Sequence, residues 1–363
     1  MTESRIDGQV RIVGAGLLGA SIGHALVAAG VDVVLADASR TNLRLAVDYG
    51  AGRMPAEGDA PRLVIVAVPP DATADVVARE LADWPDATVA DVASVKASVL
   101  AELEQSGADT SRYLGSHPLA GRERGGAISA RADLFIGRPW VITAHAATTT
   151  AQRRLLEDLA LELGAVPVSM SVGEHDDSVA LVSHVPQVVS SLLARRLAGA
   201  TDPAVGLAGQ GLRDTTRIAA SDPELWVQIL GANAERVGGI LRAYRDDLDT
   251  LIAALDDPEA PGARRTIADA LAGGNAGVAR IPGKHGQARH FSRLVVKVDD
   301  TPGELARLLT EIGELGVNME DLRLEHSPGA QIGLAEIAVL PEAEQRLVTE
   351  LEARGWKIAE TIG

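Results

Sequence analysis

The chain contains no cysteine, which rules out disulfides, catalytic thiols and thiolate metal centres together. Aromatic residues make up only 2% of its 363 residues, so a core must be built from Ala, Val, Leu and Ile. Positive charge is also scarce. Lys and Arg total 34 against 50 Asp and Glu, a formal balance of −16, which argues against a nucleic-acid groove or an anionic membrane surface as partner. Any anionic ligand therefore needs a locally built positive site. Long apolar runs are missing too: stretches such as 63–68 fall far short of the ~20 residues of a membrane span. The N-terminal MTESRIDG lacks an apolar signal core, so the expected compartment is the cytoplasm. What remains is a globular composition, 46% apolar and 23% charged, long enough for two or three domains at about 100–200 residues each.

From Val10 onward, short apolar runs (VRIVGAG, VDVVLAD, LVIVAVPP, ATVADVAS, RYLGSHPLAG, PWVITAH, AVPVSM) alternate with helix-length segments. That rhythm predicts an α/β domain over 1–170 with a parallel sheet covered on both faces. After Met170 the strand signal stops and helical periodicity runs to about Leu255, with Asp222-Pro223 as a helix start. This predicts an all-helical domain over 171–285, and its long amphipathic segments point to a homodimer. Beyond a Gly/Ala/Pro-rich connector, residues 290–363 read as strand, helix, two strands, helix and strand, a small βαββαβ unit. Its first helix is expected to open at Thr301-Pro302, with Leu305, Leu308, Leu309, Ile312 and Leu315 on one side.

Gly14-Ala15-Gly16-Leu17-Leu18-Gly19 follows the strand VRIV directly and opens a helix. In that context the glycines mark a Rossmann-type dinucleotide turn: Gly14 for the bend, Gly16 for close approach of a pyrophosphate, Gly19 for helix–strand packing. The N–H groups at Leu17 and Leu18 and the helix dipole would hold the phosphates. Asp37 ends the next strand, 18 residues after Gly19, where its carboxylate can bind ribose hydroxyls and repel a 2′-phosphate. NAD is thus expected over NADP, although Arg40 nearby could accommodate the phosphate.

Asp91-Val92-Ala93-Ser94-Val95-Lys96 ends the fourth strand, and Gly115-Ser116-His117-Pro118-Leu119-Ala120-Gly121-Arg122-Glu123 the fifth. Together with Ser183-His184-Val185-Pro186-Gln187 and Gly211-Leu212-Arg213-Asp214-Thr215-Thr216-Arg217, these motifs resemble the prephenate/arogenate dehydrogenase family over about residues 8–290. The C-terminal segment, with Asp300-Thr301-Pro302-Gly303 and Gly316-Val317-Asn318, is similar to an ACT regulatory domain. The resemblance implies oxidative decarboxylation of prephenate to 4-hydroxyphenylpyruvate in tyrosine biosynthesis. Hydride leaves the hydroxyl-bearing carbon for NAD, carbon dioxide departs and the ring becomes aromatic. Arogenate is the alternative substrate, and tyrosine the implied feedback effector, held by Pro302, Gly303 and Asn318.

His117, at the carboxyl end of a strand, is the implied base, with Ser94 beside it on the substrate hydroxyl. Taken alone, His117 could cap a turn before Pro118, and Ser94 could cap the helix that follows. Arg217 is the expected carboxylate ligand, oriented by Asp214 three residues earlier on one helix, with Arg213 a plausible substitute; a solvated salt bridge is the plainer alternative. His184 and Gln187 share a helical face toward the substrate side chain. Many relatives carry a second His where Gln187 stands, and Gln donates hydrogen bonds without charge. Glu123 and Trp226 resemble residues lining or gating the pocket. No metal is expected: His175 and His184, nine apart on a regular helix, would fall on opposite faces. A β-hydroxyacid dehydrogenase is disfavoured because such enzymes rely on a lysine in the helical domain and 171–283 holds none. A non-catalytic amino-acid sensor is disfavoured by the intact Gly14, Asp37, Ser94, His117 and Arg217.

Overall fold

The structure, a computed structural model, describes residues 4–121, 125–281, 291–326 and 332–362. The chain divides into two units, one of Met1–Ala200 with Thr215–Tyr244, the other of Thr201–Asp214 with Arg245–Gly363.

The first unit is built on seven strands: β1 Val10–Val13, β2 Val33–Ala36, β3 Leu63–Val66, β4 Thr88–Asp91, β5 Tyr113–Pro118, β6 Pro139–Ala144 and β7 Val166–Ser171. They lie in the order β2-β1-β3-β4-β5-β6-β7. β3 shows why the sheet must be covered twice. Its Leu63 and Ile65 join one apolar cluster with Ile12, Leu35 and Trp140, while Val64 and Val66 join another with Val89 and Tyr113. Alternate side chains point to opposite faces, so four consecutive apolar residues need helices on both. Because β1 lies between β2 and β3, the chain leaves β1 and β3 in opposite directions. A crevice opens at the carboxyl ends of these strands, where open α/β sheets take their ligands.

The sheet is not wholly parallel. β6 runs antiparallel to β5, pairing His117 with Val141, and β7 is parallel to β6. A parallel neighbour needs a crossover that carries the chain back along the sheet. Between β5 and β6 the only described helical element is the 3₁₀ turn Ala127–Ser129, whereas the helix Thr150–Glu162 supplies the crossover to β7.

After β7 come the helix Val172–Val179, a π-helical turn at Ala180–His184 and the helix Val185–Leu197. Pro186 explains the irregularity: it has no N–H to donate and its ring crowds the carbonyl four residues back. The Asp222-Pro223 start is as expected, with Asp222 Oδ1 accepting from the Glu224 N–H at 2.9 Å at the head of the helix Pro223–Ala232.

In the second unit, β8 Ser292–Asp299, β9 Asp321–His326, β10 Ile332–Val339 and β11 Lys357–Ile362 form an antiparallel sheet in the order β11-β8-β10-β9. With the helices Glu304–Glu314 and Pro341–Ala353 this completes βαββαβ, its core made by Leu294, Val296, Leu308, Ile312, Ile337, Leu347 and Leu351. The first helix begins at Glu304 rather than at Thr301-Pro302. Gly303, at φ +96°, turns the chain into it from the left-handed region, which favours glycine. Among the described residues no helix is long and apolar enough to cross a membrane.

Candidate active site

The glycine turn leads from β1 into the helix Leu17–Ala28, for which no side chain provides an N-terminal cap. Gly14 sits at φ +103°, and a Cβ there would lie 2.3 Å from the Ala67 carbonyl oxygen after β3. A Cβ on Gly19 would meet the Gly14 carbonyl oxygen at 1.9 Å. These two glycines are demanded by the fold itself, whereas Gly16 faces open space in which an added Cβ would meet nothing. Uncapped N–H groups at Leu17 and Leu18 below that space suit a phosphate. Asp37, past the end of β2, accepts from the Ala15 N–H and the Ser39 N–H, each at 2.7 Å. It thereby ties the glycine turn to β2 and still keeps carboxylate lone pairs for ribose hydroxyls. Arg40 is exposed on the first residue of the next helix, Arg40–Asp48. The residues present therefore fit a dinucleotide.

At the neighbouring strand ends lies a buried polar cluster. His117, the next-to-last residue of β5, has its Nδ1 2.9 Å from His175 Nε2, and His175 Nδ1 is 2.7 Å from Asp176 Oδ1. Asp176 also accepts from the Lys96 N–H at 3.0 Å and the Ala97 N–H at 2.9 Å, closing the N-terminus of the helix Ala97–Ser106 from 80 residues away. That corrects the expected capping by Ser94, which stands half-buried in the turn after β4, one strand from His117. Lys96 is buried as well: its ammonium pairs with Asp91 and donates to the Ser116 carbonyl at 2.8 Å. Burial, with smaller contributions from the neighbouring His175, Lys96 and His184, holds the His117 pKa well below the ordinary imidazole value. His117 is consequently neutral at pH 7.

His184 closes the π turn. Its Nδ1 lies 3.3 Å from the Asn233 amide, which also donates to the Asp176 carbonyl at 2.8 Å, and its ring stands edge-on to Trp226 at 6.0 Å. The expectation that His175 and His184 point apart fails, because the π turn holds an extra residue, so each residue there rotates less than in an α-helix and the helical phase falls behind. Both rings border one cluster. Burial lowers the His184 pKa to about 4, so at pH 7 this ring is uncharged and has only hydrogen bonds to offer.

Beyond Trp226 is a pocket of about 460 Å³, lined mainly by apolar side chains together with Gln187, Ser191 and Ser221. Gln187 donates to Ser221 at 2.7 Å. Arg217 is exposed and opens the 3₁₀ turn Arg217–Ala219, whose last residue lines this pocket. The helix Gln210–Thr216 runs directly into this turn, so Asp214 stands on its last α-helical turn and Arg217 on the 3₁₀ continuation. Asp214 accepts from Gln210 at 2.8 Å, and Arg213 is exposed, both in the second unit. Glu123 lies outside the described residues. Pro302 and Gly303 form the turn before the helix Glu304–Glu314, and Asn318 donates to Glu320 at 3.0 Å.

Sequence reasoning gave no role to His175, Asp176, Asn233 or Lys96. A signal was present: His175 precedes the apolar Val179 by four residues, so both face inward and a polar pair there must find partners.

Comparison with known proteins agrees with this geometry. Residues 22–169 match the family model of the prephenate dehydrogenase nucleotide-binding domain, and residues 171–269 that of the prephenate dehydrogenase dimerization domain. The chain is 34% identical to a probable prephenate dehydrogenase of Streptomyces niveus, over 95% of this chain and 98% of that one. Among solved structures, the prephenate dehydrogenase of Aquifex aeolicus in complex with hydroxyphenyl propionate and NAD+ superposes with a TM-score of 0.66 at 25% identity, covering 75% of this chain and 99% of its own. The arogenate dehydrogenase of Synechocystis gives 0.61 at 26%, covering 74% and 99%. With the glycine turn, the neutral His117 and the pocket beside Trp226 on one unit, the chain belongs to the prephenate dehydrogenase family.

Proposed function

We propose that the protein converts prephenate to 4-hydroxyphenylpyruvate with NAD, with His117 as the base. The observation that carries this reading is a buried, neutral imidazole at the carboxyl end of a sheet that also bears the dinucleotide turn. Hydride acceptance is the chemistry NAD supplies when bound. Gly14, Gly16, Leu17, Leu18 and Gly19 present backbone to its phosphates, and Asp37 accepts from the ribose.

With His117 Nδ1 engaged by His175, its Nε2 is the nitrogen left to accept the substrate hydroxyl, and Ser94 orients that hydroxyl. As hydride leaves the hydroxyl-bearing carbon, the proton is shared with His117. The ring carboxylate departs as carbon dioxide, the electron pair of the broken C–C bond completes the aromatic ring, and the phenol oxygen keeps its proton. Arg217 binds a substrate carboxylate. His184, Gln187 and Trp226 receive the side chain, and Glu123 belongs to the same pocket.

Residues 1–170 thus carry the cofactor and 171–285 the substrate side chain and a homodimer interface. Exposed Leu181, Val182, Leu192, Leu193, Leu225 and Val227 support a homodimer, since such apolar side chains favour a covering surface. The βαββαβ unit of 290–363 is a feedback module for tyrosine through Pro302, Gly303 and Asn318.

Steady-state kinetics with prephenate and arogenate, each with NAD and NADP, tests the reading: prephenate with NAD should have the highest specificity constant. His117→Asn should lower turnover roughly 10²–10⁴-fold with little change in NAD binding. Turnover of neither substrate would remove the proposal. Full-length enzyme indifferent to millimolar tyrosine would remove the feedback role alone.

A further inference from the structure

His117, His175 and Asp176 form a single file of donors and acceptors whose protons can be located from one end. Asp176 takes backbone N–H groups on both carboxylate oxygens, so it is committed as an acceptor. Burial alone would raise its pKa, but the hydrogen bond from His175 and the N–H groups of Ala97 and Lys96 outweigh it and keep the carboxyl ionised. His175 Nδ1, 2.7 Å from Oδ1, must then carry a proton. A neutral His175 offers a bare Nε2, and His117 Nδ1 at 2.9 Å must be its donor. With the proton on Nδ1, the lone pair of His117 is on Nε2.

We propose that His175 and Asp176 are positioning residues that fix His117 in the Nδ1–H tautomer and take up the charge that develops as His117 accepts the substrate proton. This rests on His117 being the base. As the substrate O–H bond lengthens toward Nε2, the Nδ1 proton moves toward His175 Nε2, and positive charge gathers on His175 against the Asp176 carboxylate. Both protons return when the phenol forms, so none is gained or lost. A proton taken from solvent has the opposite effect: in either arrangement His117 holds a proton on Nε2 and loses its lone pair.

The groups around the file bias this balance. The Lys96 ammonium, paired with Asp91 at the end of β4, opposes protonation of His117, as does His184 from the π turn once acid protonates it. The Tyr113 phenol on β5, bonded to Asp91 at 2.7 Å, stays neutral because burial raises its pKa well above the ordinary value.

Histidine-selective ¹⁵N NMR of the intact protein reads the tautomer, and kinetics of His175→Asn and Asp176→Asn read its consequence. His117 should be protonated on Nδ1 and bare on Nε2. In His175→Asn, kcat should fall roughly 10²–10³-fold while NAD affinity, from fluorescence titration, stays within about threefold. Asp176→Asn should lose at least as much turnover; if it fails to fold, His175→Asn and the wild-type spectrum decide the matter. A wild-type His117 protonated on Nε2, or a His175→Asn enzyme within threefold of wild-type kcat, overturns the proposal. The two readings separate: a fully active His117→Asn removes the base itself, whereas a slow His117→Asn beside a normal His175→Asn removes only the positioning role.

Discussion

Lowering the pH probes the burial of His117 directly. An imidazole at its ordinary value of 6.5 would be about nine-tenths protonated at pH 5.5, and an enzyme that needs it neutral would keep about a tenth of its kcat/KM. Here burial, with His175, Lys96 and His184 around the ring, depresses the value well below 6.5. We expect kcat/KM at pH 5.5 to remain well above that tenth of its plateau. The assay is initial rates at low prephenate and saturating NAD, from pH 8 to 5 at constant ionic strength. Stability must be followed alongside, because the same depression has a thermodynamic side. A histidine whose folded-state pKa is lowered contributes stability that is complete above the unfolded value and lost as pH falls below it. For His184 the loss runs from 6.5 toward about 4. His184, at about 4, removes on the order of 1 kcal/mol by pH 5.5, and His117 adds a loss of the same sign. That is a fraction of the 5–15 kcal/mol typical of folded proteins, so the enzyme should still be folded there with a lowered Tm. An acid limb centred at or above 6.5 in protein that remains folded would refute the burial argument.

Three further outcomes follow from particular contacts. Gly14→Ala puts a Cβ 2.3 Å from the Ala67 carbonyl at φ +103°, and should cost at least ~2 kcal/mol in urea denaturation and weaken NAD binding; unchanged stability would mean the turn can relax. Asp37→Ala frees the Ala15 and Ser39 N–H groups and removes the charge that repels a 2′-phosphate, so the ratio of NAD to NADP specificity constants should fall; a constant ratio would remove Asp37 from cofactor choice. Arg217→Ala should raise the KM for prephenate about 10- to 150-fold, as expected for loss of one charge-assisted hydrogen bond of ~1.5–3 kcal/mol. An unchanged KM would transfer the role to Arg213.

Much of the architecture was legible because it is written locally. Strand VRIV followed by glycines and a helix, Asp222-Pro223 at a helix head, and the stripe of Leu308, Ile312 and Leu315 are short-range patterns with short-range causes. The direction of β6 was not legible, since its buried run of residues between the strand ends reads the same whichever way it points. Nor was the π turn, which shifts the helical phase between His175 and His184 and defeats counting in steps of 100°. Asp176 was invisible for another reason: its partners at Lys96 and Ala97 lie 80 and 79 residues away, and only the folded chain brings them together.

That carboxylate serves two masters. It ends the helix Ala97–Ser106 and anchors the imidazole of His175, using both oxygens to do so. For anyone evolving this enzyme toward altered chemistry, position 176 is consequently a poor place to search. Substitutions there would confound lost expression with lost turnover in any selection, and libraries would return the aspartate for reasons unrelated to rate. Position 175 carries no such double duty to the helix end, and diversity introduced there would report on catalysis with far less interference from folding yield.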